Sequence, residues 1–205
     1  MPTYGSTYQV YGSHACSACS ESHARVLHIK ETRRSRFKLM QFMAEITARH
    51  QNGGILAHNI GGNQRFMLGL MVSGDRIFVA ASGNNNNRIT DAAQAKGYTI
   101  CPRILAAGGN RSRVGRLIPQ PEYAGTRALG DPQPGNCAAP RLIQHAVTVP
   151  AVKANWRNWE MSEVFYHPNT QDRSNRALHW IHGLSAHSCG TCDNLVPLLM
   201  CPRQS

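Results

Sequence analysis

Three cysteines stand where polar turns give way to apolar runs. Cys137 follows Asn136 in "GNCAAPRLIQHA", and Cys189 and Cys192 form a C-x-x-C pair in "HSCGTCDNLVPLLMC". Both stretches read as helix starts. A helix N-terminus lowers the pKa of a thiol placed there, because its dipole favours the anion. Three thiolates hold Zn²⁺ on three sides and leave a fourth position open. Structural zinc usually closes with four protein ligands, whereas catalytic zinc keeps one position for water. Such a site can lower the pKa of bound water to about 7, against about 9 on the aqueous ion. A carboxylate beside it would take the water proton and deliver it to a leaving group. Two residues beyond Cys137, within reach for that task, stands Ala139. His145, His182 and His187 are alternative fourth ligands; any of them would close the site into a structural one.

The chain has seven cysteines, an odd number. With no secretory signal in view, C-x-x-C pairs suggest metal or redox chemistry more than a disulfide scaffold. The second pair, Cys16 and Cys19, is flanked by His14 and His23. Four ligands so close in sequence make tight geometry, and these two read as ordinary arm cysteines. Cys101 and Cys201 read as free structural thiols.

The elements that must position these groups follow from periodicity. Residues 1–22 are polar and rich in Gly and Ser, an arm. A basic helical pattern runs from about Ser22 to His50, with Leu39, Phe42, Met43 and Ile46 on one face, and "NGG" at 52–54 stops it. The run "RRSRFK" is a solvated face or a nucleic-acid contact. Apolar runs at 66–72 and 77–81 flank Gly74-Asp75, which predicts a hairpin with a type II′ turn. Residues 84–136, rich in Asn, Gly, Pro and Arg, read as a long insertion carrying binding loops or short elements. A helix is expected from Cys137 to about Val147, with Asn136 as N-cap and Pro140 in the first turn. A strand over 160–167, a short helix over 174–184 and a last helix after the C-x-x-C complete the order. No internal repeat is visible. The result is an α/β arrangement in which two helix N-termini meet beside a sheet.

Composition bounds the partners. At 205 residues and 41% hydrophobic content, the chain can bury a real core. Lys and Arg number 22 against 11 Asp and Glu, giving a formal charge of +11. That asymmetry points to an anionic partner, nucleic acid first, then an acidic protein or a membrane surface. No apolar run approaches the roughly 20 residues that span a bilayer. The start "MPTYGSTYQVYGS" lacks the regions of a signal peptide, so the chain reads as soluble or as a fragment of a larger exported protein.

"CAAP" followed by "SCGTC" resembles the zinc nucleobase deaminases, whose pattern is His or Cys, any residue, Glu, then a later Pro-Cys-x-x-Cys. The hairpin before the first motif and the strand before the second fit the order of that fold. Within the superfamily, the basic chain and "HSCGTC" are most similar to bacterial polymorphic-toxin deaminases, above all those acting on cytosine in single-stranded DNA. The resemblance spans about residues 64–201. It implies a cytidine-deaminase-like α/β fold, a central mixed sheet flanked by helices, with the zinc site at two helix N-termini. Residues 1–60 are then an arm and basic helix, and 61–205 the catalytic domain with its 84–136 insertion. It implies zinc on Cys137, Cys189 and Cys192, with Ala139 in the position of the family glutamate. Ser188 replaces the family proline. The alanine reads as an engineered replacement of that glutamate, with a naturally inactive relative as the alternative; either leaves a catalytic site without its proton carrier.

The same resemblance places a sugar-contacting Asn at Asn84, with Asn136 as the alternative. Trp156, Trp159, Tyr166 and Trp180 are candidate base-stackers, Trp159 foremost, and His167 is a candidate pocket residue. Arg111, Arg113 and Arg116 are candidate phosphate contacts or simply solvated. RNA or adenine as substrate, and a non-enzymatic nucleic-acid-binding protein with structural zinc, stay open. A toxin of this kind implies an immunity protein as partner, export or injection within a larger protein, and action in the target-cell cytoplasm.

Overall fold

The computed structural model describes residues 10–11, 15–20, 29–52, 66–83, 87–102, 110–130, 134–166, 174–175, 180–181, 183 and 189–203. Its centre is the predicted hairpin. Strands β3 (Phe66–Ser73) and β4 (Arg76–Ala81) pair antiparallel through Ser73↔Arg76. Gly74 has φ 59° while Asp75 keeps an ordinary negative φ. That combination is the type II′ turn, which needs glycine only at its first central position.

β3 also pairs antiparallel with β6 (Glu160–Tyr166). Outside β6 lie β2 (Ile29–Lys30), parallel to it, and β1 (Val10–Tyr11), antiparallel to β2. On the other edge β5 (Thr99–Ile100) runs parallel to β4. Among the described residues the mixed sheet has six strands, in the order β1-β2-β6-β3-β4-β5.

Strand alternation sends side chains to two cores. Phe66, Leu68, Leu70 and Val72 of β3 join Val79 and Ala81 of β4 and Val164 and Tyr166 of β6. They pack against Leu39, Phe42, Met43 and Ile46 of α1 (Arg33–Asn52) and Ile89, Ala92 and Ala93 of α2 (Asn87–Ala95). The opposite face, with Met71, Phe78, Ala80 and Met161, packs against α4 (Ala138–Thr148) and α6 (Gly190–Met200). Between α2 and α4 comes α3 (Gln120–Gly125), and after α4 comes α5 (Pro150–Ala154).

Several boundaries differ from expectation. α1 starts at Arg33, not near Ser22, because Ile29–Lys30 is sheet. Thr32 then caps the helix: its Oγ1 accepts the Ser35 amide at 3.1 Å while Ser35 Oγ accepts the Thr32 amide at 3.0 Å. Residues 29–52 thus share sheet and core with the rest of the described chain rather than forming part of a separate arm. Residues 87–100 contribute a helix and an edge strand, so the expected insertion is part of the sheet at its start. Over 174–184 no helix forms among the described residues; Ser174–Asn175 (β7) pairs antiparallel with Trp180–Ile181 (β8). No helix among the described residues is long and apolar enough to cross a membrane.

Candidate metal centre

Cys137 is itself the N-cap of α4, one residue later than Asn136, and Cys189 is the N-cap of α6. Cys192 lies in the first turn of α6. The two helix starts face each other, with Cys137 Sγ and Cys189 Sγ 3.6 Å apart. All three sulfurs lie within 4.8 Å of one another. No fourth His, Cys, Asp or Glu among the described residues joins them. Cys137 and Cys192 are buried and Cys189 is partly exposed.

The electrostatics favour one anion at Cys189. Its pKa is pushed down to about 3, first by hydrogen bonding with Cys137, then with Cys192, and further by the amides of Cys192 and Thr191. Cys137 and Cys192 move the other way: Cys137 chiefly through its hydrogen bond with Cys189, and Cys192 chiefly through its bond with Cys137 and then Cys189. A divalent cation would remove the competition among the three. The donor set therefore fits a thiolate-binding ion such as zinc, with a position left over.

The sequence reading missed two groups beside the sulfurs. Glu163 Oε1 accepts the Ala139 amide at 2.9 Å. Its carboxyl is enclosed and its pKa is raised to about 7, chiefly by burial, against the opposing pull of the Ala139 amide. The signal for it was present: Glu163 interrupts an apolar strand in phase with Met161, which packs on the α4 side. Tyr123 of α3 is the other. Its pKa is raised to about 12 by burial first, then by Cys137 and Cys192. The buried Tyr123 hydroxyl has no partner among the described residues, which is costly unless something else occupies the space.

α4 reaches this position because β3 offers no side chain at Gly69. A Cβ there would lie 2.9 Å from Ala138 Cβ and 3.0 Å from Leu142 Cδ1. Arg141, 1% exposed, anchors the same helix to the sheet ends. Its guanidinium donates to the carbonyls of Ala81, Gly83 (2.7 Å), Cys101 (3.1 Å) and Pro102 (3.2 Å). Ala139 itself is fully buried.

Several candidates belong to the core instead. Trp159 is 3% exposed and its indole N–H donates to the Val152 carbonyl at 2.9 Å, so it cannot stack on a base. Tyr166 is buried and stacked on Phe66 at 4.9 Å. Asn84, His167, His182 and His187 lie outside the described residues. Trp156 remains partly open: the guanidinium of Arg113 lies over its ring at 3.9 Å and that of Arg157 at 4.8 Å. Arg113, Val114, Pro150, Lys153, Ala154 and Trp156 line an open groove beside α5. Arg116 instead pairs with Glu122 at 3.0 Å, and Arg111 donates to the Gly115 carbonyl at 2.9 Å.

Cys16, Cys19 and Cys201 also converge, their sulfurs within 4.8 Å of one another. Cys16 and Cys19, read from the sequence as arm cysteines, are thus buried beside Cys201, which is a free buried thiol as expected. No family model, curated protein or solved structure matches this chain.

Proposed function

We propose that this chain carries the site of a zinc-dependent deaminase toxin, acting on cytosine in single-stranded DNA, with alanine in place of its proton-carrying glutamate. The observation that carries the reading is the convergence of Cys137, Cys189 and Cys192 from two facing helix N-caps. A mixed sheet covered on both faces, with ligands on the helix starts behind the hairpin, supports a cytidine-deaminase-like fold.

When bound, zinc supplies Lewis acidity that activates water for attack on the amidine-like carbon of the base. The chain does the rest. The thiols of Cys137, Cys189 and Cys192 hold the ion. Tyr123, whose buried hydroxyl has no partner among the described residues, offers it for a polar edge of the base. Glu163 holds the Ala139 amide and so fixes the first turn of α4. A glutamate at 139 would carry the water proton to the departing ammonia; alanine cannot. Trp156 with its two arginines offers a surface for strand phosphates and bases. The toxin reading brings an immunity protein as partner and delivery within a larger exported protein.

The test is Ala139→Glu, offered single-stranded DNA, duplex DNA, RNA and free cytidine, with sequencing for C-to-T changes. Ala139→Glu should gain activity and Ala139→Gln should not, because an amide cannot shuttle the proton at neutral pH. General acid–base catalysis is worth about 10² to 10⁴ in rate, and one group serving both proton transfers should reach the upper end. Activity on RNA or adenine alone would reassign the substrate. If the zinc-loaded Ala139→Glu protein stays inert on every substrate, the site is structural and the protein a nucleic-acid-binding module. A different outcome follows from Glu163, whose carboxyl already lies beside position 139. Activity in the unaltered chain that Glu163→Gln abolishes would assign the proton transfer to Glu163.

A further inference from the structure

The second cysteine cluster takes no part in the chemistry above. Cys16 is 1% exposed, Cys19 8% and Cys201 0%. Buried thiols are common and cheap, so burial alone proves nothing. Three further observations act together.

The first is the turn over residues 16–20. The amides of Cys19 and Ser20 donate to the Cys16 carbonyl at 3.3 and 2.7 Å, and Ser20 takes a left-handed φ of 58°. This turn aims the amides of Ala18 and Cys19 at Cys16 Sγ. The other C-x-x-C does the same, with the amides of Thr191 and Cys192 on Cys189 Sγ. The likeness is one of backbone arrangement, since burial pushes the Cys16 thiol up to about 12 against those amides.

The second is where the third sulfur comes from. Cys201 is the residue at which α6 ends, so it meets the pair from the far end of the chain. The third is charge. Arg113, 8% exposed, donates Nε to the carbonyl of Met200, the residue before Cys201, at 3.4 Å. Arg116 lies close enough to interact with both Cys201 and Cys16. Three thiolates around a divalent ion carry a net charge of about −1, which the Arg113 guanidinium complements, while that of Arg116 is shared with Glu122.

We infer that Cys16, Cys19 and Cys201 hold a second zinc ion, which clasps the N-terminal turn to the end of α6. Tetrahedral Zn–S bonds of about 2.3 Å separate sulfurs by roughly 3.8 Å, a spacing these three side chains reach with small rotations. The fourth position is left to solvent. Linking positions 16 and 201 closes nearly the whole chain into a loop, where a cross-link restricts the unfolded state most. The ion also steadies α6, whose first turn presents Cys189 and Cys192. The two sites sit at opposite ends of this helix, about 16 Å apart by helical rise.

The test counts zinc per chain by elemental analysis in reduced, zinc-replete, desalted protein, with native mass spectrometry to read the thiol state. Two ions are expected in the unaltered chain, and one each in Cys201→Ser and Cys189→Ser. Cys201→Ser should also lower Tm by roughly 5 °C or more. One ion that Cys201→Ser retains and Cys189→Ser loses overturns the inference. So does a disulfide among Cys16, Cys19 and Cys201, or iron with inorganic sulfide in place of zinc. One ion that Cys189→Ser retains and Cys201→Ser loses supports this site and removes the metal basis of the deaminase reading. If Cys201→Ser does not fold, Cys189→Ser decides: an ion that it retains supports the clasp and a metal-free Cys189→Ser protein overturns it.

Discussion

His145 lies half-buried in the last turn of α4, its ring edge on Phe78 with centroids 5.5 Å apart. A helix C-terminus favours imidazolium, yet burial lowers the His145 pKa from its usual value. Here desolvation outweighs the dipole. A folded-state pKa below the unfolded one stabilises the fold fully above the unfolded pKa of about 6.5. That stability is lost as pH falls through the lower folded value. His145→Gln cannot titrate, so its Tm should fall less than that of the parent chain between pH 7.5 and 5. Parallel Tm curves for the two proteins across this range would show that His145 does not feel its burial. Comparing the two cancels the acid sensitivity of the thiolate sites, which both share.

α4 carries Cys137 at its start, and its seat depends on Gly69. An added Cβ would meet Ala138 Cβ and Leu142 Cδ1, and Glu163 Cγ at 3.4 Å. Ala138 cannot swing aside, because its Cβ is fixed to the helix backbone. Gly69→Ala should therefore push the first turn of α4 off the sheet and destabilise the fold by about 1–3 kcal/mol, the usual range for overpacking. Urea unfolding would measure it. Adding Ala138→Gly removes the closest atom and should recover part of the loss, although glycine in a helix costs about 1 kcal/mol. Independent, additive effects of the two substitutions would argue against this contact. Zinc affinity at Cys137 should fall with Gly69→Ala, since the same turn presents the sulfur.

The whole chain carries +11, and part of that charge gathers where Arg113 and Arg157 flank Trp156 with Lys153 nearby. This groove adjoins α5, just past the C-terminal end of α4, so α4 separates it from the thiols at its start. A bound single strand would run along this side of the molecule. Binding should survive Ala139, which removes no cationic group, and should weaken steeply with salt. On single strands each neutralised phosphate contributes about −0.7 to the slope of log K against log salt. Lys153→Glu with Arg157→Glu should weaken binding and flatten that slope while leaving the zinc count unchanged. Fluorescence anisotropy with a labelled oligonucleotide at several salt concentrations would read both. Affinity that ignores salt would contradict an electrostatic footprint.

Sequence alone determined whatever depends on neighbours along the chain. The hairpin was legible because Gly74 at the turn and apolar residues at period two act within one segment. The apolar face of α1 and the helix starts at Cys137 and Cys189 were legible for the same reason. Spacing also suggested that Cys137 belongs with Cys189 and Cys192, although 51 residues separate the first two in sequence. Tertiary structure decided what needs distant segments to meet. Trp159 and Trp156 look alike in sequence, but one turns into the core and the other lies open between two arginines. Glu163 became a neighbour of Ala139 only when β6 paired with β3 beneath α4. Cys201 read only as a free structural thiol because Cys16 and Cys19 lie far from it along the chain, and no local periodicity records a contact between such distant segments.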